Sequence, residues 1–157
     1  MTQSPPPRTL DAYPCRVVDV LRFADTDRVG HVNNAAFATF CESGRVALLY
    51  DPKQPLAPAG TNFVIARLVL DFRAEINYPG TVEIGTLVAR VGRSSATLHQ
   101  ALFHNGTCVA TAESIVVLMD EATRRSTPLP QEAVQALERL MAPARAQEAS
   151  ARPAGRD

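Results

Sequence analysis

The segment from Arg22 to Phe40, RFADTDRVGHVNNAAFATF, places two carboxylates, a glycine, an imidazole and two asparagines directly before a helical pattern. The amides at a helix N-terminus are unpaired donors that favour negative charge, so they can hold a carbonyl oxygen as it becomes an oxyanion. An adjacent carboxylate can attack that carbonyl or activate a water molecule that does so. With Asp27 as the carboxylate and Gly30 permitting a sharp turn, the spacing indicates acyl transfer.

A structural role explains some of the same residues. An aspartate before a helix commonly caps it or forms a turn, and Asp25 is placed to bond backbone groups of this turn. His31 can orient the loop as a hydrogen-bond partner, and either Asn33 or Asn34 can cap the helix. The sequence contains no GxSxG pattern, so a serine nucleophile is not predicted.

The composition argues against several classes of function. The chain has 157 residues and a formal net charge of zero, which gives no electrostatic footprint for nucleic acid. No apolar run is long enough to span a bilayer and no signal-peptide pattern is present, so we expect a cytoplasmic protein without a membrane partner. Three scattered cysteines and three histidines form neither a disulfide framework nor a metal-ligand spacing, and we expect no metal or other cofactor.

Hydrophobic periodicity predicts an α+β fold. Apolar residues recur at three- and four-residue spacing from Asn33 to about Tyr50, which predicts a helix. Alternation and turn signals predict five strands, the last four joined mostly by hairpin-type turns. The predicted strands are residues 15–23, 62–76, 81–92, 96–104 and 107–120.

These elements fit one small domain. NYPG at residues 77–80 has the composition of a type II turn, and residues 130–141 read as a short amphipathic helix. We expect a five-stranded antiparallel sheet curved around one long central helix, within a single domain of residues 13–141. The segments 1–12 and 142–157 are predicted to be disordered, because they are rich in proline, alanine and polar residues.

The segment DTDRVGHVNNAAFATFCESGR resembles the signature of the hotdog-fold acyl-CoA thioesterases, specifically the 4-hydroxybenzoyl-CoA thioesterase-like group. LDFRAEINYPGTVEI, VGRSSATL and NGTCVATAESIVVLMD follow in the family's order, so the resemblance covers residues 14–130. It implies a hotdog fold and hydrolysis of an acyl-CoA thioester to free acid and CoA. It also implies a homodimer or homotetramer with sites at subunit interfaces.

The resemblance implies roles for individual residues. The second aspartate of the pair, Asp27, would act as nucleophile or general base on the thioester. The backbone N–H of Asn34 would polarise the thioester carbonyl, and His31 would lie beside it. Gly30 and Asn33 would shape the loop that holds the substrate.

Two further assignments have competing explanations. Arg93, Ser94 and Ser95 match the family's phosphate-side turn and would bind CoA, although an ordinary polar hairpin turn explains them nearly as well. A different hotdog subgroup carries its carboxylate on the central helix, which makes Glu42 an alternative base. A helix glutamate three residues before Arg45 also favours a local ion pair.

Two other functions share the predicted fold. Hotdog enoyl-CoA hydratases also use an aspartate and a histidine, but they typically show Asp-x-Asn-Pro-x-His, and DRVGH lacks the Asn-Pro and has a shorter spacing. A non-catalytic acyl-CoA-binding protein is the third alternative. The products separate the three: a free thiol, a hydroxyacyl-CoA or the intact ligand.

Overall fold

The computed structural model describes residues 5–141. Two short 3-10 helices, Leu10–Ala12 and Phe23–Asp25, accompany two α-helices and five strands. In chain order the elements are β1 (Cys15–Val20), α1 (Asn34–Leu49), β2 (Thr61–Phe72), β3 (Thr81–Val91), β4 (Ser95–His104), β5 (Thr107–Asp120) and α2 (Gln131–Arg139).

The five strands form one antiparallel sheet in the order β1-β3-β4-β5-β2, which confirms the predicted sheet. The prediction was wrong about the connection from β2 to β3. Residues 77–80 do not close a hairpin, because β2 pairs with β5 while β3 pairs with β1 and β4. The chain therefore passes β5 and β4 between β2 and β3, and β2 becomes an edge strand.

Helix α1 begins one residue after the predicted start and ends one residue before the predicted end. Asn33 is its N-cap, as one of the two predicted alternatives, since Asn33 Oδ1 accepts the Ala35 N–H at 2.9 Å. The helix has 16 residues and packs over β1, β3 and β4. At about 24 Å it is of ordinary length rather than long, and curvature of the sheet around it stays a prediction.

The contact between α1 and the sheet depends on Gly44. A Cβ atom at this position would lie 2.6 Å from Ile84 Cγ2 and 2.7 Å from both Gln100 Nε2 and Thr86 Oγ1. Gln100 is fully buried, and its side-chain amide donates to the Cys41 carbonyl at 2.8 Å. Because Gly44 has no side chain, the Gln100 side chain of the sheet can reach the helix backbone and hydrogen-bond to it.

The domain boundaries stay predictions, with one difference in the N-terminal segment. Residues 5–12 were expected to be disordered, but Leu10–Ala12 form a 3-10 helix that leads into Tyr13. Tyr13 is fully buried, and its hydroxyl donates to the Pro7 carbonyl at 2.5 Å. Residues 1–4 and the predicted tail 142–157 lie outside the described residues.

Helix α2 confirms the predicted amphipathic helix and follows a loop after β5. Its buried residues, Ala133, Ala136 and Leu137, join Leu48, Leu49 and the end of the sheet in one apolar cluster. None of the described helices combines the length and apolarity needed to cross a lipid bilayer.

Replacing Gly44 with alanine tests the contact between α1 and the sheet. Helix propensity alone would favour alanine by about 1 kcal/mol. Overpacking against Ile84, Thr86 and Gln100 costs about 1–3 kcal/mol, because each of these side chains is buried. We expect Gly44→Ala to lower the free energy of unfolding, measured by urea denaturation.

Thr39→Ala is the matched control, since Thr39 is exposed on the same helix. We expect it to change the free energy of unfolding by less than about 0.5 kcal/mol. A Gly44→Ala variant as stable as wild type, or more stable, would mean that the sheet does not hold the helix at this glycine.

Candidate active site

The loop that follows the 3-10 turn of the motif is closed by its own backbone. Thr26 and Val32 form a bridge, and the Asp27 N–H donates to the His31 carbonyl at 2.8 Å. The Gly30 N–H donates back to the Asp27 carbonyl at 3.1 Å. Gly30 has a φ of 92°, a conformation that side-chain-bearing residues rarely adopt, so glycine is required for this turn.

This loop holds the Asp27 carboxylate in a defined position. Asp27 Oδ1 accepts the Val29 N–H at 2.8 Å. Oδ2 accepts no hydrogen bond from the residues that the structure describes, and the residue is half-buried. One oxygen is therefore anchored while the other remains able to react or to accept a proton.

The start of α1, a few residues after Asp27, offers an unpaired amide. The Ala35 N–H is taken by Asn33 Oδ1, and the Ala36 N–H donates to the Asn33 carbonyl at 2.9 Å. Within residues 5–141 no acceptor takes the Asn34 N–H. An oxygen of a bound ligand can accept this hydrogen bond, with further stabilisation from the helix dipole.

Asp25 has the structural role expected for it. It is buried, and its Oδ2 accepts the Arg22 N–H at 2.8 Å while Oδ1 meets Arg22 Nη2 at 2.9 Å. The hydrogen-bonded Arg22 guanidinium holds the pKa of Asp25 below its usual range. The Asp25 carbonyl accepts the Asn33 N–H at 2.7 Å, so Asp25 ties the 3-10 turn to the start of α1.

The side chain of His31 contacts a different carboxylate from Asp27. His31 Nε2 lies 3.1 Å from Glu75 Oε2, and the His31 backbone forms a bridge with Asn77. The Val32 N–H donates to the Ile76 carbonyl at 2.9 Å. These contacts attach the loop to the segment between β2 and β3, and Glu75 orients the imidazole.

The predicted phosphate-side turn lies far from Asp27 in the same chain. Asp27 is near the start of β3, since the Leu21 N–H donates to the Gly80 carbonyl at 2.9 Å. Arg93, Ser94 and Ser95 follow the end of β3, about 34 Å along the strand. The structure therefore brings Asp27, Asn33, Asn34, Gly30 and His31 together and leaves the turn at the other end of the sheet.

Glu42 is exposed on α1 and lies in the groove between α1 and β2. The predicted ion pair between Glu42 and Arg45 is wrong: within the described part of the chain Arg45 takes part in no salt bridge. Arg45 is instead buried against Gln100.

Sequence reasoning missed the contacts of Glu75 and Gln100 and gave Arg45 the wrong partner. Glu75 and Gln100 each lie in a segment where a charged or polar residue is ordinary, and the spacing of Glu42 and Arg45 suggested an ion pair that does not form among the described residues. Only the pairing of strands and the direction of α1 reveal their partners. In residues 5–141 no group of three His, Cys, Asp or Glu side chains is placed to hold a metal ion.

Comparison with known proteins identifies the family. The family model described as the thioesterase-like superfamily matches residues 21–137, which is most of the chain. A 1,4-dihydroxy-2-naphthoyl-CoA hydrolase from Synechococcus elongatus is 28% identical over 117 residues, covering 71% of this chain and 86% of that protein.

Solved structures show the same similarity. A predicted thioesterase from Bacillus stearothermophilus superposes with a TM-score of 0.72 and 28% identity, covering 80% of this chain and 95% of that one. A thioesterase from Thermus thermophilus, complexed with coenzyme A and Zn, superposes with a TM-score of 0.70 and 28% identity, covering 80% of this chain and 98% of that one. The chain therefore belongs to the thioesterase-like superfamily and is a thioester hydrolase with a hotdog fold.

Proposed function

We propose that this protein hydrolyses an acyl-CoA thioester to a free carboxylic acid and CoA, with Asp27 as nucleophile or general base. The observations that support the proposal are a half-anchored carboxylate in the loop before α1 and an unpaired amide at the start of that helix. Asp27 Oδ1 is held by the Val29 N–H, and the Asn34 N–H has no acceptor within residues 5–141. A CoA-complexed relative supports CoA as the carrier.

The chemistry follows from these two groups. The thioester carbonyl oxygen accepts the Asn34 N–H, and the helix N-terminus stabilises the charge that develops on this oxygen. As nucleophile, Asp27 forms an anhydride and releases the CoA thiolate, and water then cleaves the anhydride. As general base, Asp27 takes a proton from a water molecule that attacks the carbonyl, and the thiolate leaves with a proton.

His31 and Gly30 act on the same site by positioning it. The His31 carbonyl holds the Asp27 N–H, while its imidazole is held by Glu75. Gly30 allows the turn that brings the carboxylate back toward α1. Asn33 fixes the start of the helix, so the loop and the amide donor keep a constant separation.

The complete site is proposed to lie between two copies of the chain. Strand β2 has 12 residues and is an edge strand, with one row of backbone groups available for pairing. Its Phe72 end lies near the start of α1, because the Phe37 and Phe72 rings are 5.1 Å apart. Its Thr61 end pairs with Asp120, and the neighbouring Leu118 N–H donates to the Ser94 carbonyl.

Antiparallel pairing of β2 with β2 of a second copy would therefore bring opposite ends together. The Thr61 end of the second copy would lie beside the Phe72 end of the first. Arg93, Ser94 and Ser95 of one copy would then approach the Asp27 end of the other. In this arrangement the exposed Arg93 guanidinium and the two serines would bind CoA phosphates, with the homodimer as the smallest active assembly.

The catalytic proposal is tested with Asp27→Asn on a panel of short, long and aromatic acyl-CoAs. Asparagine can still accept the Val29 N–H, so the loop should keep its shape, but it cannot act as base or nucleophile. We expect kcat to fall by about 10²–10⁴-fold. Thiol release is the measurement, and Asp11→Asn, at a side chain that is 98% exposed, is the matched control.

Glu42→Gln separates the two candidate carboxylates. Full loss of thiol release in Glu42→Gln with retained turnover in Asp27→Asn would assign the base to Glu42.

Mass spectrometry of the products tests the other functions. A hydroxyacyl-CoA product would identify a hydratase, and unchanged ligand bound to folded protein would identify a binding protein.

The shared site is tested by complementation between two defective variants. Arg93→Ala should raise KM for CoA esters more than it lowers kcat, because phosphate binding is remote from the reaction. When Asp27→Asn and Arg93→Ala chains are refolded together, a mixed dimer contains one site with both wild-type residues. We expect the rate of thiol release at low substrate concentration to rise to about a quarter of the wild-type value.

Short pantetheine esters are the control, since they lack the phosphates and should not respond to Arg93→Ala. If mixing gives only the average of the two parent activities, Asp27 and Arg93 do not meet across an interface. A wild-type protein that sediments as a monomer while turning over substrate would also contradict the shared site.

A further inference from the structure

Arg45 is a buried cation that forms no salt bridge among the described residues. Only 9% of its surface is exposed, and its hydrogen bond is a long one of 3.4 Å from Nη1 to Gln100 Oε1. Buried charged side chains are normally paired, because an unpaired charge loses its solvation without compensation. Consistent with this, burial lowers the pKa of Arg45 from its ordinary value, although the charge of Glu42, three residues before it, acts to raise that pKa.

Gln100 fixes the guanidinium from one side. Its Nε2 donates to the Cys41 carbonyl at 2.8 Å and to Thr86 Oγ1 at 3.0 Å. Because a backbone carbonyl can only accept, the amide nitrogen must face the helix, and Oε1 faces Arg45 and Ser114. A guanidinium has five N–H donors, so most of its donors remain for a group on the other side.

The other side of Arg45 is the groove between α1 and β2. Two adjoining depressions of about 420 Å³ and 330 Å³ share Glu42, Arg45 and Ile65 in their lining. Apolar side chains of both elements line much of their walls, and Ala66 forms a bulge in β2 where the pairing with β5 shifts by one residue. Volumes of this size are typical of sites for small organic ligands. The lining here mixes apolar side chains with polar ones, among them Thr39, Arg45 and Arg67.

The groove lies along the same helix whose N-terminus forms the proposed catalytic end. It begins at Ala38 and Thr39, about one turn beyond Asn34. Arg45 lies eleven residues after Asn34, about 16 Å along the helix axis. Long helical side chains lean toward the N-terminus, so the guanidinium is closer to the thioester position than its Cα atom.

We infer that the α1–β2 groove holds the acyl group and that Arg45 binds a carboxylate at the end of that group. The enzyme would then select acyl-CoAs derived from dicarboxylic acids. This inference rests on the proposed function, in which the thioester lies at Asn34. The carboxylate would supply the negative charge that Arg45 lacks, through the two-pronged geometry that guanidinium and carboxylate share.

Glu42 of a second copy is the other candidate for the missing charge. The groove favours a ligand, because Glu42 is exposed at the rim whereas Arg45 is nine-tenths buried at the floor. The two alternatives differ in their effect on assembly.

The test compares acyl-CoAs matched in chain length with and without the terminal carboxylate, namely adipoyl- with hexanoyl-CoA and suberoyl- with octanoyl-CoA. We expect wild type to favour at least one dicarboxylic member by about tenfold or more in kcat/KM. Arg45→Met should abolish this preference while keeping octanoyl-CoA turnover within about threefold. Methionine suits the site, since replacing a buried charge with an apolar side chain often preserves folding.

Arg45→Lys keeps the charge but loses the paired donors, so it should retain part of the preference. Arg90→Met, at an exposed arginine of β3, is the matched control and should behave as wild type. A wild-type enzyme without preference for the carboxylate overturns the inference. So does an equal loss for both members of a pair in Arg45→Met, or dissociation of that variant into monomers, which would assign Arg45 to the interface.

A binding measurement separates this inference from the proposed function. Isothermal titration of wild type and Arg45→Met with suberate and with octanoate does not depend on turnover. If no acyl-CoA releases a thiol, the proposed function fails, while Arg45-dependent binding of suberate still supports the carboxylate site. If suberate and octanoate bind equally in both proteins, the inference fails even in an active enzyme.

Discussion

The buried amide of Gln100 against Gly44 is the contact on which the rest of the structure depends. It requires that α1 approach the sheet closely enough for the Cys41 carbonyl to accept a side-chain donor from β4. Packing of α1 on β1, β3 and β4, together with the Asn33 N–H bond to the Asp25 carbonyl, fixes the direction of the helix around this contact. Its N-terminus then meets the Asp27 loop, and Arg45, the residue after Gly44, is directed between the helix and the sheet. The proposed catalytic end and the proposed acyl groove therefore both depend on how closely α1 approaches the sheet at Gly44.

A single chain of this fold separates the parts that the proposed reaction requires. Residues that follow β1 and residues that follow β3 lie at opposite ends of an antiparallel sheet, because those two strands run in opposite directions side by side. No rearrangement of loops could join the Asp27 loop to the Arg93 turn across the length of β3. An edge strand that pairs with its own copy in antiparallel register removes this separation by symmetry, which explains why β2 would remain open.

Short-range patterns in the sequence predicted the helix and its cap, because these features depend on interactions between residues that are close in the chain. The spacing of Phe37, Phe40 and Cys41 marked α1, and Asn33 was recognised as a possible cap because its role needs only its immediate neighbours. The prediction of a hairpin between β2 and β3 was wrong because turn composition at residues 77–80 does not determine which strands become neighbours. The predicted Glu42–Arg45 ion pair was wrong for a related reason. The i, i+3 rule describes exposed helix surfaces, whereas the Arg45 side chain is buried between the helix and the assembled sheet.

Asp25 and Asp27 are the same residue type, yet their surroundings in one turn favour different roles. Both oxygens of Asp25 are occupied by Arg22, and its burial makes this pairing a condition of the fold. Such a carboxylate has little capacity left for a substrate. Asp27 has one oxygen fixed by the Val29 N–H and another that no described residue engages. A nucleophile or base needs this combination of fixed position and open lone pairs, so the environment, rather than the residue type, favours Asp27 for the chemistry.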